Sequence, residues 1–354
     1  MRKLKEELEL ATIQQRKLYD VSAPNSSTGI INGESSNVLN WDDVRFSWAY
    51  PMYKNMLGNF WTPFEINMSN DVKQWEALSE DEQDTFKKII GLLAFLDSIQ
   101  TDYSSKVADY LTDSSLSALM QVLSFQEVVH NQSYSYVLSS IVNKNEQDRI
   151  FEYWKHDDVL LERNQFIASG YEAFVKNPTP QTFFESIVYD IILEGLFFYA
   201  GFAFFYNLAR NQKMVSTSTM INYINRDEQL HVTLFVNIVK ELFNEHPELN
   251  TKENHDFITN TFREATELEM KWGEYIIGNR FPGITMNELN DYIKFMANNR
   301  VNQLGIERPF EGHRENPMRW IKAYADVNAG KSDFFEQKSR QYTKVSDDNG
   351  FDDL

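Results

Sequence analysis

From Trp41 to about Tyr324 the apolar positions recur at helical spacing, with no sustained alternation of period two, so this stretch reads as helix joined to helix. Ser79-Glu80-Asp81-Glu82 has the form of a capping box and predicts a helix running toward Leu111. Thr112-Asp113-Ser114-Ser115 turns the chain and caps a second helix that continues to about Val142. Shorter helices are expected near 145–155 and 158–176, before Asn177-Pro178-Thr179-Pro180 breaks the pattern. A long apolar helix then fills 181–210, Asn211-Gln212-Lys213 turns it, and Ser216 to Phe243 forms the next. Others cover about 251–278 and 286–302. No linker interrupts the series, which predicts a single all-α domain over 41–325.

The ends differ from this body. Residues 21–40 are rich in Ser, Asn and Gly, so 1–40 are expected as a flexible N-terminal extension. The sequence turns polar again after Asp333, and 326–354 are expected as a flexible C-terminal tail. The segment Ile187 to Ala209 is long enough to span a bilayer. Asp190 and Glu194 interrupt it, however, and the rest of the chain is polar on average, so it reads as the buried central helix of a bundle. Lys and Arg number 34 against 52 Asp and Glu, a net charge of −18, which disfavours nucleic acid and membrane surfaces as partners. Cysteine is absent, which excludes disulfides, thiolate metal sites, iron–sulfur clusters and a cysteine nucleophile. With no apolar signal-peptide core near the start, a cytoplasmic protein is expected.

Candidate chemistry lies where polar residues interrupt apolar helices. Two of the six histidines follow a glutamate by three residues: Glu127-Val128-Val129-His130 and Glu228-Gln229-Leu230-His231. On a helix this spacing offers a carboxylate and an imidazole to one point. Chance alone supplies about one acid–His pair of this kind in a chain of such composition, so either pair taken singly is weak. Asp97 interrupts IIGLLAFLDSI and precedes Glu127 by 30 residues; Glu194 interrupts IILEGLFFYAGFAFF and precedes Glu228 by 34. Folding each stretch about its turn brings the two carboxylates to one height on antiparallel helices. The motif of carboxylate, helix, turn, helix, Glu-x-x-His therefore occurs twice. Six such groups at one level of a core would stay unsatisfied without cations. The arrangement is that of a ferritin-like helical bundle with a dinuclear metal site in a four-helix core, and its oxygen and imidazole donors suit iron or manganese. Tyr134 lies one turn beyond His130, and Phe198, Phe202 and Ile224 are placed to wall the site.

These segments resemble the small, radical-generating (beta) subunit of class I ribonucleotide reductase. The resemblance covers about Trp41 to the C-terminus. It is carried by FLDSIQ with Asp97, EVVHNQSY with Glu127, His130 and Tyr134, LEGLFFYAGF with Glu194, and INRDEQLH with Glu228 and His231. It implies two metal ions per chain, iron or manganese, on these six ligands, and oxygen activation that leaves a tyrosyl radical on Tyr134. FWTPFEI points by the same resemblance to Trp61 as the start of an electron route. Asp227 matches the residue linking that Trp to His130, with Arg226 beside it. DFFEQKSRQY suggests Tyr342 as the relay to the large (alpha) subunit, with Glu336 a looser match, and Asp347 to Leu354 as the docking peptide. The radical would then serve reduction of ribonucleoside diphosphates or triphosphates to deoxyribonucleotides on that partner, which would contribute the thiols this chain lacks. A homodimer is implied, as is a flavoprotein activator if manganese is used. Other readings are a different ferritin-like oxygen-activating enzyme, an iron store, or a metal-free helical interaction module.

Overall fold

Most of the long helices in this chain start at side chains that accept the first free amides. The computed structural model describes residues 12–325. Its helices are α1 (Ala49–Gly58), α2 (Ser69–Trp75), α3 (Glu80–Ala108), α4 (Ser114–Ile141), α5 (Lys144–Glu152), α6 (Asp158–Lys176), α7 (Pro180–Ile192), α8 (Tyr199–Arg210), α9 (Val215–Glu245), α10 (Lys252–Ile276), α11 (Met286–Gln303) and α12 (Ile321–Ala325). No strand occurs among the described residues. Ser79 and Glu82 close the expected capping box on α3, Asp113 accepts from the Ser115 and Leu116 amides at the start of α4, and Thr179 caps α7 with Pro180 at its first position. The start of α9 is held from outside: the buried Asp71 of α2 accepts from the Ser216 amide at 3.0 Å and the Thr217 amide at 2.7 Å.

Four of these segments form the centre. α3 and α4 pack along most of their lengths, and α9 lies against α4, α7 and α8. α6, α10 and α11 flank the α7–α8 side. The segment Pro180–Arg210 is apolar and long enough to cross a membrane, but 94% of its most apolar window is buried inside the bundle, as expected of a central helix. It is not one regular helix. Leu193–Phe197 form a π turn between α7 and α8, a break that hydrophobic periodicity does not register.

Residues 12–40, expected as part of a flexible extension, contain no helix, yet they lie against the bundle. Ile13, Ile30 and Ile31 are buried. The Ile13 amide donates to the Pro178 carbonyl at 2.8 Å, the Thr112 amide to the Ile30 carbonyl at 2.8 Å, and the Ser27 hydroxyl to the α4 cap Asp113 at 2.6 Å. Three isoleucines in a polar stretch suffice to fasten it, where average composition pointed the other way. The tail beginning at 326 lies outside the described residues.

Candidate metal centre

α3 brings Asp97 to the centre of the bundle, α4 brings Glu127 and His130, the π turn brings Glu194, and α9 brings Glu228 and His231. All six side chains are 0% exposed. Two donor groups result, each with its ligand atoms within 4.8 Å of one another: Asp97, Glu127 and His130, and Glu127, Glu194, Glu228 and His231. The His130 Nδ1 lies 3.5 Å from Glu127 and 3.2 Å from Glu228; the His231 Nδ1 lies 3.1 Å from Glu127, 3.0 Å from Glu228 and 3.4 Å from Glu194. Glu127 and Glu228 therefore reach both imidazoles. Asp97, 4.0 Å from His130, belongs to one side and Glu194 to the other.

Each imidazole turns its other nitrogen outward. The His130 Nε2 is 3.2 Å from Asp227, which accepts from the Trp61 indole at 2.8 Å. The His231 Nε2 is 3.1 Å from the Gln126 side-chain oxygen. The pattern is crossed between hairpins. Asp227 precedes Glu228 but holds the histidine of α4, while Gln126 precedes Glu127 but holds the histidine of α9. Outer partners of this kind fix ring orientation and leave Nδ1 as the inward ligand atom.

The electrostatics suit a bound cation. Burial, then the neighbouring carboxylates, raise Asp97 and Glu194 well above the usual carboxylate range. Burial alone would lower both imidazoles, but the surrounding carboxylates outweigh it and raise His130 and His231. Burial works against ionised Glu228, yet a hydrogen bond with Glu194 and the two imidazoles hold it below the ordinary range. Both oxygens of Asp97 and of Glu127, one each of Glu194 and Glu228, and the His130 Nδ1 find no hydrogen-bond partner among the described residues. Buried polar atoms are ordinarily satisfied. Orphans converging on two points from hard oxygen and imidazole donors fit two ions of iron or manganese type.

The Tyr134 hydroxyl is buried against Asp97, short of a well-aligned hydrogen bond, and burial followed by that carboxylate raises its pKa well above the ordinary value. Phe198, Phe202 and Ile224 are buried. Trp61 is 4% exposed beneath a hollow lined by Leu57, Phe60, Phe125 and Val129, with its ring 6.2 Å from that of His130. Arg226 donates to the Asn59 carbonyl at 2.6 Å and lies 3.6 Å from Asp227. Tyr342 and Glu336 lie outside the described residues. Gln126 and the π turn were not anticipated. Asp190, noted only as an interruption of an apolar run, accepts from Gln100 at 2.6 Å and Tyr171 at 2.8 Å.

Helical core, crossed histidines and clustered carboxylates together define a dinuclear metal-carboxylate protein of ferritin-like fold. The ribonucleotide reductase small-chain family matches residues 38–317. A ribonucleoside-diphosphate reductase beta subunit of Halalkalibacterium halodurans is 72% identical over 97% of this chain and 99% of its own. The ribonucleotide reductase R2 subunit of Clostridium botulinum superposes with a TM-score of 0.87 at 38% identity, covering 89% of this chain and all of its own. A dimanganese(II) NrdF of Streptococcus sanguinis gives a TM-score of 0.69 at 25% identity, covering 77% and 94%. The chain belongs to the small (beta) subunits of class I ribonucleoside-diphosphate reductase, an oxidoreductase.

Proposed function

We propose that this subunit generates and stores a tyrosyl radical on Tyr134 for a separate large subunit. The observation that carries the reading is the meeting of six buried metal-type donors beside a buried phenol. Metal ligands in this reading are Asp97, Glu127, His130, Glu194, Glu228 and His231, and the ions they would hold would supply electrons for reduction of dioxygen. Tyr134 keeps its proton at ordinary pH, because burial and Asp97 disfavour the phenolate. A phenol that loses an electron becomes strongly acidic, so the electron leaves Tyr134 together with the Oη proton; a bound ion would keep Asp97 ionised, and its carboxylate would then be the adjacent acceptor. Buried Phe198, Phe202 and Ile224 wall the metal site with apolar groups.

Trp61, Asp227 and His130 form a hydrogen-bonded line from beneath the surface hollow to the centre, which supports an electron route. Tyr342 as a further relay, and docking of Asp347 to Leu354 on the large subunit, rest on the sequence motif. The donor set accepts iron or manganese. The S. sanguinis relative holds two manganese ions, and with manganese a flavoprotein activator is expected. A homodimer working in the cytoplasm, with ribonucleotide bound by the large subunit, completes the proposal.

The test loads metal-free protein with Fe(II) under nitrogen, admits oxygen, and records EPR spectra of wild type and Tyr134→Phe. A tyrosyl signal in the first and none in the second, with equal metal content, is expected. A signal surviving in Tyr134→Phe would move the radical elsewhere, and absence of bound metal would remove the site.

A further inference from the structure

A π turn withdraws helix carbonyls from the amides that would normally bond them. Leu193 to Phe197 are all buried, so any carbonyls the turn leaves without a helical amide need donors from elsewhere in the protein. Two arginines supply them. Arg300 of α11 donates from Nε to the Gly195 carbonyl at 3.1 Å, and Arg163 of α6 donates to the Phe197 carbonyl. Arg163 is paired with Glu269 of α10 at 2.8 Å, and the other Glu269 oxygen accepts from the Ala200 amide at 3.2 Å.

Arg300 does more than cap a carbonyl. It also donates to the Tyr199 hydroxyl at 2.8 Å and to the Gln229 side-chain oxygen at 3.2 Å. Gly195 follows Glu194 and Gln229 follows Glu228, so one guanidinium ties together the segments that carry two of the four donors in the second group. The absence of a side chain at position 195 makes room for it. A Cβ there would lie 2.8 Å from the Arg300 Nε and 3.1 Å from its Cγ and Cδ. Among the described residues no arginine donates to the backbone beside Asp97, which stands on the regular helix α3.

We propose that Arg300, seated against Gly195, is a positioning residue for the second metal ion, holding the π turn so that Glu194 is aimed at His231 and Glu228. This rests on the metal-binding reading above. Arg300 touches no ligand atom, so its effect is on where Glu194 can go. A residue that merely stabilised the fold would affect both ions alike, whereas this one acts through Glu194, which belongs to the second donor group only.

The experiment titrates Mn(II) alone, without oxygen, into full-length wild type, Arg300→Met and Gly195→Ala, reading unbound ion by its EPR signal and the spin-coupled pair by its own. Gly195→Ala removes no donor and displaces the guanidinium, so it carries the test if Arg300→Met does not fold. Expected in both variants is a second-ion affinity weakened about 10- to 100-fold. First-ion affinity should stay within about threefold, and the coupled signal should disappear at Mn(II) levels that saturate wild type. Two ions bound as tightly as in wild type, or both weakened equally, would overturn the positioning role while leaving the metal site standing. Wild type that binds no Mn(II) would remove the metal reading and this proposal together.

Discussion

Asp97, Glu127 and His130 stand on two unbroken helices, α3 and α4, joined by a short capped turn, whereas Glu194 stands on a π turn and only Glu228 and His231 on a regular helix. The two hairpins carry the same polar signature at nearly the same spacing. Their outer partners differ as well. His130 faces a carboxylate that continues to an indole, and His231 faces a neutral amide. A duplicated sequence motif thus yields two unequal half-sites, one rigid and connected toward the surface, the other braced by buried arginines. The inequality suits a centre in which one side serves the tyrosine and the electron route, and the other is free to be tuned through its backbone.

The strongest way to break the comparison is through the shared ligand. Glu127 belongs to both donor groups and Glu194 to one. Glu127→Ala is expected to abolish stoichiometric binding of both ions, and Glu194→Ala to leave about one per chain, since a missing carboxylate in a closed site has no replacement. Metal analysis after gel filtration checks this, and two ions retained in Glu127→Ala would undo the ligand assignment. Next comes the brace. Arg163→Met leaves Glu269 buried without its cation, a change that costs about 3–5 kcal/mol when one partner of a buried pair is removed. Urea unfolding of the metal-free protein measures it directly, and a loss below about 1 kcal/mol would mean that the pair contributes no more than a surface bridge.

The outer partners give a finer test. Asp227→Asn is expected to weaken the ion on His130 by about 10- to 100-fold, and Gln126→Leu to weaken the one on His231 by less, because the carboxylate strengthens its imidazole by charge as well as by orientation. Calorimetric titration with Mn(II) separates the two. Equal effects would show that orientation alone matters.

The first half-site was more legible in the sequence than the second, for a physical reason. Periodicity and capping boxes report regular helices, and α3 and α4 are regular, so antiparallel arithmetic applies to Asp97 and Glu127, and same-helix spacing carries His130 and Tyr134 with them. Glu194 also arrives at the centre, but the π turn that carries it leaves no trace in hydrophobic spacing, and the side chains that bond its carbonyls, Arg163 and Arg300, are remote along the chain. Gln126 was hidden for a related reason. A polar residue beside a ligand reads as part of the same interruption, and its partner His231 sits on another hairpin. Ile13, Ile30 and Ile31 illustrate the reverse error, since three buried side chains outweighed the composition of the segment around them.

The smallest effect concerns a second buried acid on the irregular side, one turn before Glu194. Asp190 accepts from Gln100 and Tyr171 on one oxygen, while its other oxygen has no partner. Burial raises its pKa, the two hydrogen bonds and the positive field of His231 lower it, and Glu127 raises it, with the net shift upward. Its folded-state pKa therefore exceeds the unfolded one, and the folded protein holds a proton that the unfolded chain has released. Stability tied to Asp190 is complete below the unfolded pKa and is lost as pH rises toward the folded one. Asp190→Asn cannot ionise and escapes this loss. In metal-free protein its stability relative to wild type should improve progressively as pH rises above the ordinary carboxylate range, about pH 4. Urea midpoints at several pH values measure the gap, and a gap that does not change with pH would mean that Asp190 is ionised in the fold, with Gln100 and Tyr171 sufficient to keep it so.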